Sequence, residues 1–355
     1  MNISRRKFLG SSLAAMAGVS LLPSVLSCQG EKAAPAAVPA SDGKPNSNFG
    51  KLKMGTITYS WRDMPGGLDN LISYCKQANV SNLELMGDDL EKALGAPDSP
   101  MMGIFAAAFA RVPEAQQATA LSNPAGIMAL LTDAERKTMA DYNQAVVDFR
   151  NNLDWNKVEE VRQRFANEGI DIHIVKTQPG ETSSDDDIDY AFKLAKAMGA
   201  KGVTSELSLG AAKRCAPFAE KYDMYYCMHN HMQYSTPEWP NPDAVLAVSP
   251  NVMLNFDFGH YFGSTGKNPC DFIRKYQDRI FSMHTKDKTG PNAKQPNENQ
   301  VWGQGQTPLE EVLKLVESEF PHIYCDVELE YAVKPWSNSV KEVGTCIKYV
   351  RQLFL

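Results

Sequence analysis

Four side chains that bind metals or move protons lie at the ends of two apolar segments in the second half of the chain. Asp257 and His260 end the run N-V-M-L-N-F-D-F-G-H, and His284 and Lys286 end the run R-I-F-S-M-H-T-K. A strand buried on both faces of a parallel sheet is nearly all apolar, so these polar groups indicate a site. Side chains alternate between the two faces of a strand, so Asn255 lies on the same face as Asp257, and His284 lies on the same face as Lys286. We therefore expect Asp257 and His284 to lie at corresponding ends of neighbouring strands.

Other imidazoles and carboxylates follow the same pattern, because they also fall in or just after apolar segments. The histidines are His173, His229 and His231, and the carboxylates are Glu84, Glu206, Glu328 and Glu330. Unpaired carboxylates inside a fold are costly, and a divalent cation is the usual compensation. Two or three carboxylates with one or two imidazoles suit Mn, Zn, Co or Mg. The sequence therefore predicts a divalent-metal site.

The elements that must position these groups are strands that alternate with helices. Strand signals cover Met54–Ser60, Asn82–Met86, Ile170–Thr177, Gly202–Ser208, Met224–His231, Val252–Phe258, Ile280–Lys286 and Ile323–Glu330. Helical patterns lie between them, for example Asp187–Met198 and Pro308–Phe320. This alternation implies a parallel sheet, and eight repeats favour an α/β fold of the (β/α)8 TIM-barrel type. In such a barrel the carboxyl ends of the strands form one rim, where chemistry takes place.

A helical insertion, at about residues 88–153, interrupts the barrel after the second strand. Its segments Ile104–Arg111, Gly126–Leu131 and Thr132–Leu153 have helical composition, and Thr132 with Glu135 has the spacing of a helix cap. An insertion at this point rises from the rim. It is either a lid over the substrate or a packing element through which a homo-oligomer forms.

The N-terminus resembles an export signal. Arg5 and Arg6 precede an apolar run that ends at Ser27-Cys28, which is typical of a twin-arginine signal with a lipoprotein cleavage site. A membrane-spanning anchor is the alternative, but the run is short and contains polar residues. We expect residues 1–28 to form the signal peptide, with Cys28 lipidated, residues 29–50 a flexible tether, and residues 51–355 the barrel. The protein would then be an exported lipoprotein, periplasmic or anchored in the outer membrane.

Charge and cysteine usage narrow the function classes further. The formal net charge is −6 at pH 7, which gives no indication of nucleic-acid binding. The six cysteines after Cys28 form no C-x-x-C pair, so we interpret them as buried thiols. A twin-arginine substrate crosses the membrane folded, so manganese can be loaded in the cytoplasm, which favours Mn among the candidate metals.

The rim residues carry a resemblance to a known superfamily. Glu206, Asp257-x-x-His260, His284-Thr-Lys286-Asp287 and a glutamate on the eighth strand are similar to the xylose-isomerase-like barrels, the sugar isomerases and epimerases. The runs I-V-K-T, I-D-Y-A-F-K-L-A-K-A-M-G-A-K-G-V-T-S-E and H-N-H resemble its exported branch, often labelled "sugar phosphate isomerase/epimerase". The resemblance covers the chain from about Leu52 to the C-terminus, apart from the insertion.

The resemblance implies roles for individual residues. The metal ligands map to Glu206, Asp257, His284 and either Glu328 or Glu330. The predicted catalytic residues are Lys176, Glu206, Glu330 and His229, with Lys176 as a base whose pKa is lowered by burial and by a nearby cation. The alternative for Lys176 is a lysine at a loop edge or one paired with Glu206. The residues expected to bind substrate are His231, His260, Lys286, Glu84 and His173, although alternation points His173 away from Lys176.

The superfamily's chemistry is removal of a proton next to a carbonyl group with the help of a metal ion. Gly303-Gln304-Gly305-Gln306 gives only a weak phosphate-binding signal, so neutral sugars or keto-glycosides are the expected substrates. The exported relatives suggest a lyase that eliminates the C1 substituent of 3-keto-glycosides. The alternatives are an isomerase or epimerase of unphosphorylated sugars and a lipid-anchored sugar-binding protein without catalysis.

Overall fold

A computed structural model describes residues 43–120, 124–239 and 241–355. The predicted signal peptide, Cys28 and most of the predicted tether lie outside these residues, so they stay predictions. Within the described ranges, none of the helices combines the length and the apolar character needed to cross a membrane. The six cysteines after Cys28 are free and buried, as predicted.

Eight parallel strands form a closed barrel, which confirms the predicted (β/α)8 fold. The strands are β1 Leu52–Ile57, β2 Asn82–Met86, β3 Asp171–Lys176, β4 Gly202–Glu206, β5 Tyr225–His229, β6 Val252–Asp257, β7 Ile280–Thr285 and β8 Tyr324–Val327. β1 pairs with both β2 and β8, which closes the sheet. Several strands end one to three residues earlier than predicted, for example at Glu206, His229 and Val327.

A short strand, Asn48–Phe49, pairs antiparallel with the start of β1. Ser47 before it is buried, and its hydroxyl donates to the Met54 carbonyl oxygen at 2.5 Å. The barrel domain therefore includes the end of the segment predicted as a tether. Two further short strands, Asp287–Lys288 and Asn299–Gln300, pair with each other after β7.

The helices follow the strands in the predicted order. They are α1 Leu68–Ala78, α2 Gly87–Leu94, α3 Met101–Phe109, α4 Glu114–Ala120, α5 Pro124–Met128, α6 Asp133–Asn151, α7 Trp155–Asn167, α8 Asp185–Ala197, α9 Leu209–Tyr222, α10 Asp243–Leu246, α11 Phe258–Thr265, α12 Pro269–Tyr276, α13 Leu309–Glu319 and α14 Ser339–Leu353. Side-chain caps mark several starts; the Ser184 hydroxyl, for example, accepts from the Asp187 amide at 3.1 Å. Pro308 lies immediately before α13 rather than in its first turn.

The insertion forms a compact unit of its own, Gly95–Leu153, and contains α3 to α6. Its small core consists of apolar side chains that include Ile104, Ala108 and Ile127. The predicted cap is present as a capping box, in which Thr132 and Glu135 bond each other's backbone amides. Whether the unit acts as a lid or in assembly stays a prediction.

Two irregularities in strand pairing alter which side chains enter the barrel. Between β2 and β3 the register shifts so that Glu84 pairs with Ile174, and His173 is the extra residue. Between β6 and β7 a second shift makes Phe281 the extra residue. As a result Ile174 packs in one interior cluster with Cys227 of β5 and Met253 of β6.

Candidate metal centre and active site

The carboxyl ends of the strands bring most of the predicted site residues together. Glu206 at the end of β4 pairs in register with His229 of β5, and Asp257 of β6 pairs with His284 of β7. The remaining rim residues come from the loops or helices that follow the strands, namely His231, His260, Lys286, Glu328 and Glu330. The predicted neighbourhood of Asp257 and His284 is therefore present.

Four buried side chains form a group that can bind a divalent metal ion. In His229, Asp257, His284 and Glu328, one potential ligand atom per residue lies within 4.8 Å of the others. All four residues are buried, and neither ring nitrogen of His229 has a hydrogen-bond partner among the described residues. Buried polar atoms normally have partners, so the imidazole of His229 is available for an ion. Two imidazoles and two carboxylates fit Mn, Zn or Co.

The charges around this group favour a dication. Glu84 and Glu330 add their carboxylates to those of Asp257 and Glu328, whereas among the described residues Lys286 and His284 are the charged cations in ion-pair contact with these four. A buried excess of negative charge is costly unless a cation compensates for it. The group therefore fits a divalent ion by charge as well as by ligand type.

The two imidazoles of the group differ in protonation. Burial, with the positive charges of Lys176 and His284, holds the pKa of His229 well below its ordinary value, so this ring is neutral and ready to bind metal. Burial alone would lower the pKa of His284, but Glu328 and Glu84 outweigh it and raise the pKa to about 10. These two carboxylates lie 2.8 Å from Nδ1 and 3.0 Å from Nε2 of His284. Metal binding at His284 therefore requires release of a proton.

Glu206 lies outside this four-residue group, although the predicted ligand set included it. Its Oε1 lies 3.2 Å from Lys176 Nζ, and its Oε2 lies 3.0 Å from His231 Nε2. It shares a smaller potential metal-binding group with His229 and His231. Because a single carboxylate already faces Lys176 there, this second group is less suited to a dication. The structure thus groups His229, rather than Glu206, with Asp257 and His284.

The expectation that the pKa of Lys176 falls below its ordinary value is wrong. Burial does act in that direction, but Glu206 and Glu84 outweigh it and raise the pKa above its ordinary value. In turn, Lys176 and His231 outweigh burial and lower the pKa of Glu206 to about 2. This direction favours the ammonium form of Lys176 and argues against its predicted role as a base.

Lys286 connects the metal-binding group to Glu330. Its Nζ donates to Glu328 Oε2 and to Glu330 Oε2, each at 2.6 Å, and lies 2.8 Å from Asp257 Oδ2. Burial would lower its pKa, but these carboxylates raise it well above the ordinary value. Glu328 and Glu330 both face inward, as their spacing predicts, and the four-residue group contains Glu328.

His260 lies in α11 and not on a strand. Its Nε2 is 3.5 Å from Glu330 Oε2, and its ring centroid is 4.9 Å from that of His231. Burial, together with Lys286 and Lys288, lowers its pKa well below the ordinary value, so the ring is neutral. His231 differs, since Glu206 outweighs burial and raises its pKa. Two carboxylate–imidazole couples, Glu206 with His231 and Glu330 with His260, thus lie side by side.

His173 points into the barrel, and the prediction that it points away from Lys176 is wrong. As the extra residue of the β3 bulge it reaches across to Asp326 of β8, with Nε2 at 2.8 Å from Oδ2. Its ring stacks on Tyr324 at a centroid distance of 4.1 Å. His173 and Asp326 are both buried. This pair supports the barrel interior rather than facing the open part of the site.

Asn230, Asn255 and Lys288 help to hold the site but were not among the predicted site residues. The amide side chain of Asn230 bonds the backbone of Asp257 through both its oxygen and its nitrogen, each at 3.0 Å. Asn255 donates to Glu84 Oε2 at 2.7 Å. Lys288 donates to Asn299 Oδ1 at 2.9 Å, and burial together with Lys286 lowers its pKa to about 8. The H-N-H run was the available signal for Asn230, and strand alternation was the available signal for Asn255.

The glycine-rich segment after β7 already binds an anionic group of the protein itself. Asp287 Oδ2 accepts from the amides of Gly303 and Gly305, each at 2.9 Å, and Oδ1 accepts from Thr307 at 3.2 Å. These amides are therefore unavailable to a substrate phosphate, in agreement with the weak phosphate signal in the sequence.

The fold and rim define a (β/α)8 barrel with a buried carboxylate–imidazole group at the carboxyl ends of its strands. A family model described as "Xylose isomerase-like TIM barrel" matches residues 134–350, and the chain belongs to this family. The predicted superfamily is thus confirmed. No curated protein matches the chain significantly.

Solved structures with the same fold cover most of this chain. The probable 3-DHS dehydratase AsbF of Bacillus anthracis is 14% identical, with a TM-score of 0.55 over 84% of this chain and 99% of that one. A xylose isomerase domain protein from Alicyclobacillus acidocaldarius is 11% identical, with a TM-score of 0.54 over 85% and 98%. D-psicose 3-epimerase from Clostridium cellulolyticum H10 is 10% identical, with a TM-score of 0.50 over 85% and 99%. At these identities the likeness shows the fold alone.

Proposed function

We propose that this protein is a divalent-metal-dependent sugar enzyme that removes a proton next to a carbonyl group. More specifically, we propose a lyase that eliminates the C1 substituent of 3-keto-glycosides. The observation that carries the proposal is the buried four-residue group with two carboxylate–imidazole couples beside it. Manganese is the favoured metal, and His229, Asp257, His284 and Glu328 would hold it. A bound dication there would acidify the C2 proton and stabilise negative charge on the keto oxygen.

The chain's own residues can supply both proton transfers. The side chain of Glu330 is 19% exposed and that of His231 is 35% exposed, so both reach the open part of the site. Glu330 removes the C2 proton, and the C2–H electrons form an enolate with the C3 carbonyl. The enolate then reforms the C3 carbonyl and a C1–C2 double bond as the C1–O bond breaks. His231, whose pKa is raised because Glu206 outweighs burial, donates a proton to the departing oxygen.

These steps give a 2-hydroxy-3-keto-glycal and a free alcohol without any change in redox state. Lys176 contributes a fixed positive charge beside Glu206. The structural neighbours include proteins described as a dehydratase and as an epimerase, so the fold accommodates both elimination and epimerisation. Elimination is favoured here because His231 offers a proton to a leaving group. The Asp287 contacts with Gly303 and Gly305 support an unphosphorylated substrate.

Proton NMR in deuterium oxide, with manganese and a 3-keto-glucoside, tests the proposal. The expected result is loss of the C2 proton signal together with release of the aglycone. At Mn²⁺ concentrations that saturate each variant, Glu330→Gln should abolish both, whereas His231→Gln should retain C2 exchange and slow aglycone release, by about 10²-fold for a lost general acid. Exchange without release would indicate an epimerase or isomerase instead, and no exchange would indicate a sugar-binding protein.

A further inference from the structure

Lys286 holds its ammonium group against two of the four potential metal ligands. Its Nζ lies 2.8 Å from Asp257 Oδ2 and 2.6 Å from Glu328 Oε2, and its side chain is 3% exposed. The contact with Glu328 is a hydrogen bond. Asp257 Oδ2, in contrast, lies near the ammonium group without a hydrogen bond from any described residue. An ion bound by the four residues would use the same two carboxylates.

A divalent ion and this ammonium group repel each other strongly in a buried site. Removal of the lysine charge would leave Asp257 without its cationic partner and Glu328 with His284 alone, so both carboxylates would attract a metal ion more strongly. In the position that it occupies here, the lysine therefore opposes metal binding at these two carboxylates.

Glu330 gives Lys286 a position that does not conflict with the ion. Its Oε2 accepts from Lys286 Nζ at 2.6 Å, and Glu330 lies outside the four-residue group. The stem of the lysine is confined, because a Cβ on Gly259 would lie 2.3 Å from Lys286 Cγ. The ammonium group can thus shift from Glu328 toward Glu330 while its stem stays packed. Glu330 would thus hold the lysine in addition to its proposed role as the base.

We propose that Lys286 sets the metal affinity of the site by competing with the ion for Asp257 and Glu328, and that Glu330 holds the lysine when the ion is bound. The inference rests on the proposed metal-dependent function. It assigns Lys286 a positioning role toward the ligands.

Isothermal titration of Mn²⁺ into chelator-treated protein tests the inference without any substrate. Lys286→Met should bind Mn²⁺ at least ~10-fold more tightly than the wild type, because a nearby positive charge has been removed. Lys176→Met is the matched control, since Lys176 is also buried but pairs with Glu206 outside the four-residue group. Its Mn²⁺ affinity should change much less. Circular dichroism checks that each variant is folded.

A second variant keeps the inference testable if Lys286→Met does not fold. Glu330→Gln removes the alternative partner of the lysine and should weaken Mn²⁺ binding, although Glu330 is not a proposed ligand. Equal or weaker binding by Lys286→Met than by wild type would overturn the inference and leave the proposed function standing. If Lys286→Met binds Mn²⁺ and the wild type does not, the result would support competition between Lys286 and the ion, and it would contradict metal dependence of the wild-type enzyme. No binding in any form would overturn both.

Discussion

At the scale of single residues, His229 distinguishes the four-residue group in the structure from the ligand set that the resemblance implied. Its imidazole is fully buried, and both ring nitrogens are without a hydrogen-bond partner in the described parts of the chain. Glu206, which the resemblance offered as a ligand, already faces Lys176 and His231. Burial and nearby cations keep His229 neutral by lowering its pKa. The imidazole is therefore better prepared for a metal ion than the Glu206 carboxylate.

This difference gives a direct test of the ligand set. His229→Leu should adopt the native structure, since no described donor or acceptor loses its partner. Its Mn²⁺ affinity should decrease by at least ~10²-fold, because a ligand is lost. Glu206→Gln should retain most of the affinity. Elemental analysis after dialysis and titration calorimetry measure both variants. If Glu206→Gln loses the metal and His229→Leu keeps it, the ligand assignment taken from the structure is wrong.

At the scale of elements, α11 links the metal-binding group to the site opening. Asp257 caps this helix, with Oδ1 accepting from the His260 amide at 2.7 Å, which explains the D-x-x-H spacing. Gly259 lies between them, and an added Cβ would be 2.8 Å from the Lys286 carbonyl oxygen. The helix start and the loop after β7 therefore approach so closely that only glycine fits.

Gly259→Ala should push α11 away from Lys286 and destabilise the protein by about 1–3 kcal/mol, as overpacked sites do. Because the lysine stem must move, we also expect altered Mn²⁺ affinity. Gly103→Ala is the control: it lies in α3 with open space around its Cβ position, and it should be neutral or slightly stabilising. Urea unfolding monitored by circular dichroism compares the two. Equal stability of both variants would show that the close approach is unimportant.

At the scale of the whole molecule, barrel closure gathers ionisable groups from Glu84 to Glu330 into one buried network. The net effect on His284 is a pKa raised to about 10, because Glu328 and Glu84 outweigh burial. An unfolded histidine titrates near ~6.5. The resulting stability is fully present below that pH and is lost as pH rises toward about 10. His231, with its raised pKa, acts in the same direction.

In the presence of a chelator, the free energy of unfolding should therefore decrease between about pH 6.5 and 8.5, before unfolded cysteines and tyrosines titrate extensively. His284→Gln should be less stable at pH 6.5 and should show a flatter profile over this window. Urea unfolding at several pH values measures the effect. A flat profile for the metal-free wild type would contradict the charge network described for His284.

The sequence alone was sufficient for the barrel and for the neighbourhood of Asp257 and His284. Eight apolar segments with polar ends specify the repeat, and strand periodicity specifies which ends share a rim. The same periodicity predicted the wrong direction for the His173 side chain. The one-residue bulge at His173 shifts the alternation, so side chains before the bulge are out of phase with those after it.

Only the tertiary structure determined the charges and partners within the rim. The pKa of Lys176 was expected to fall through burial and a nearby cation, yet Glu206 and Glu84, distant in sequence, raise it. Likewise, Lys286 contacts carboxylates from β6 and from the end of β8, which no local pattern brings together. A pKa depends on the sum of burial and all nearby charges, and these distances exist only after the barrel closes. The sequence therefore determined which chemical groups line the site, and the tertiary structure determined which of them are paired, charged and free to bind metal.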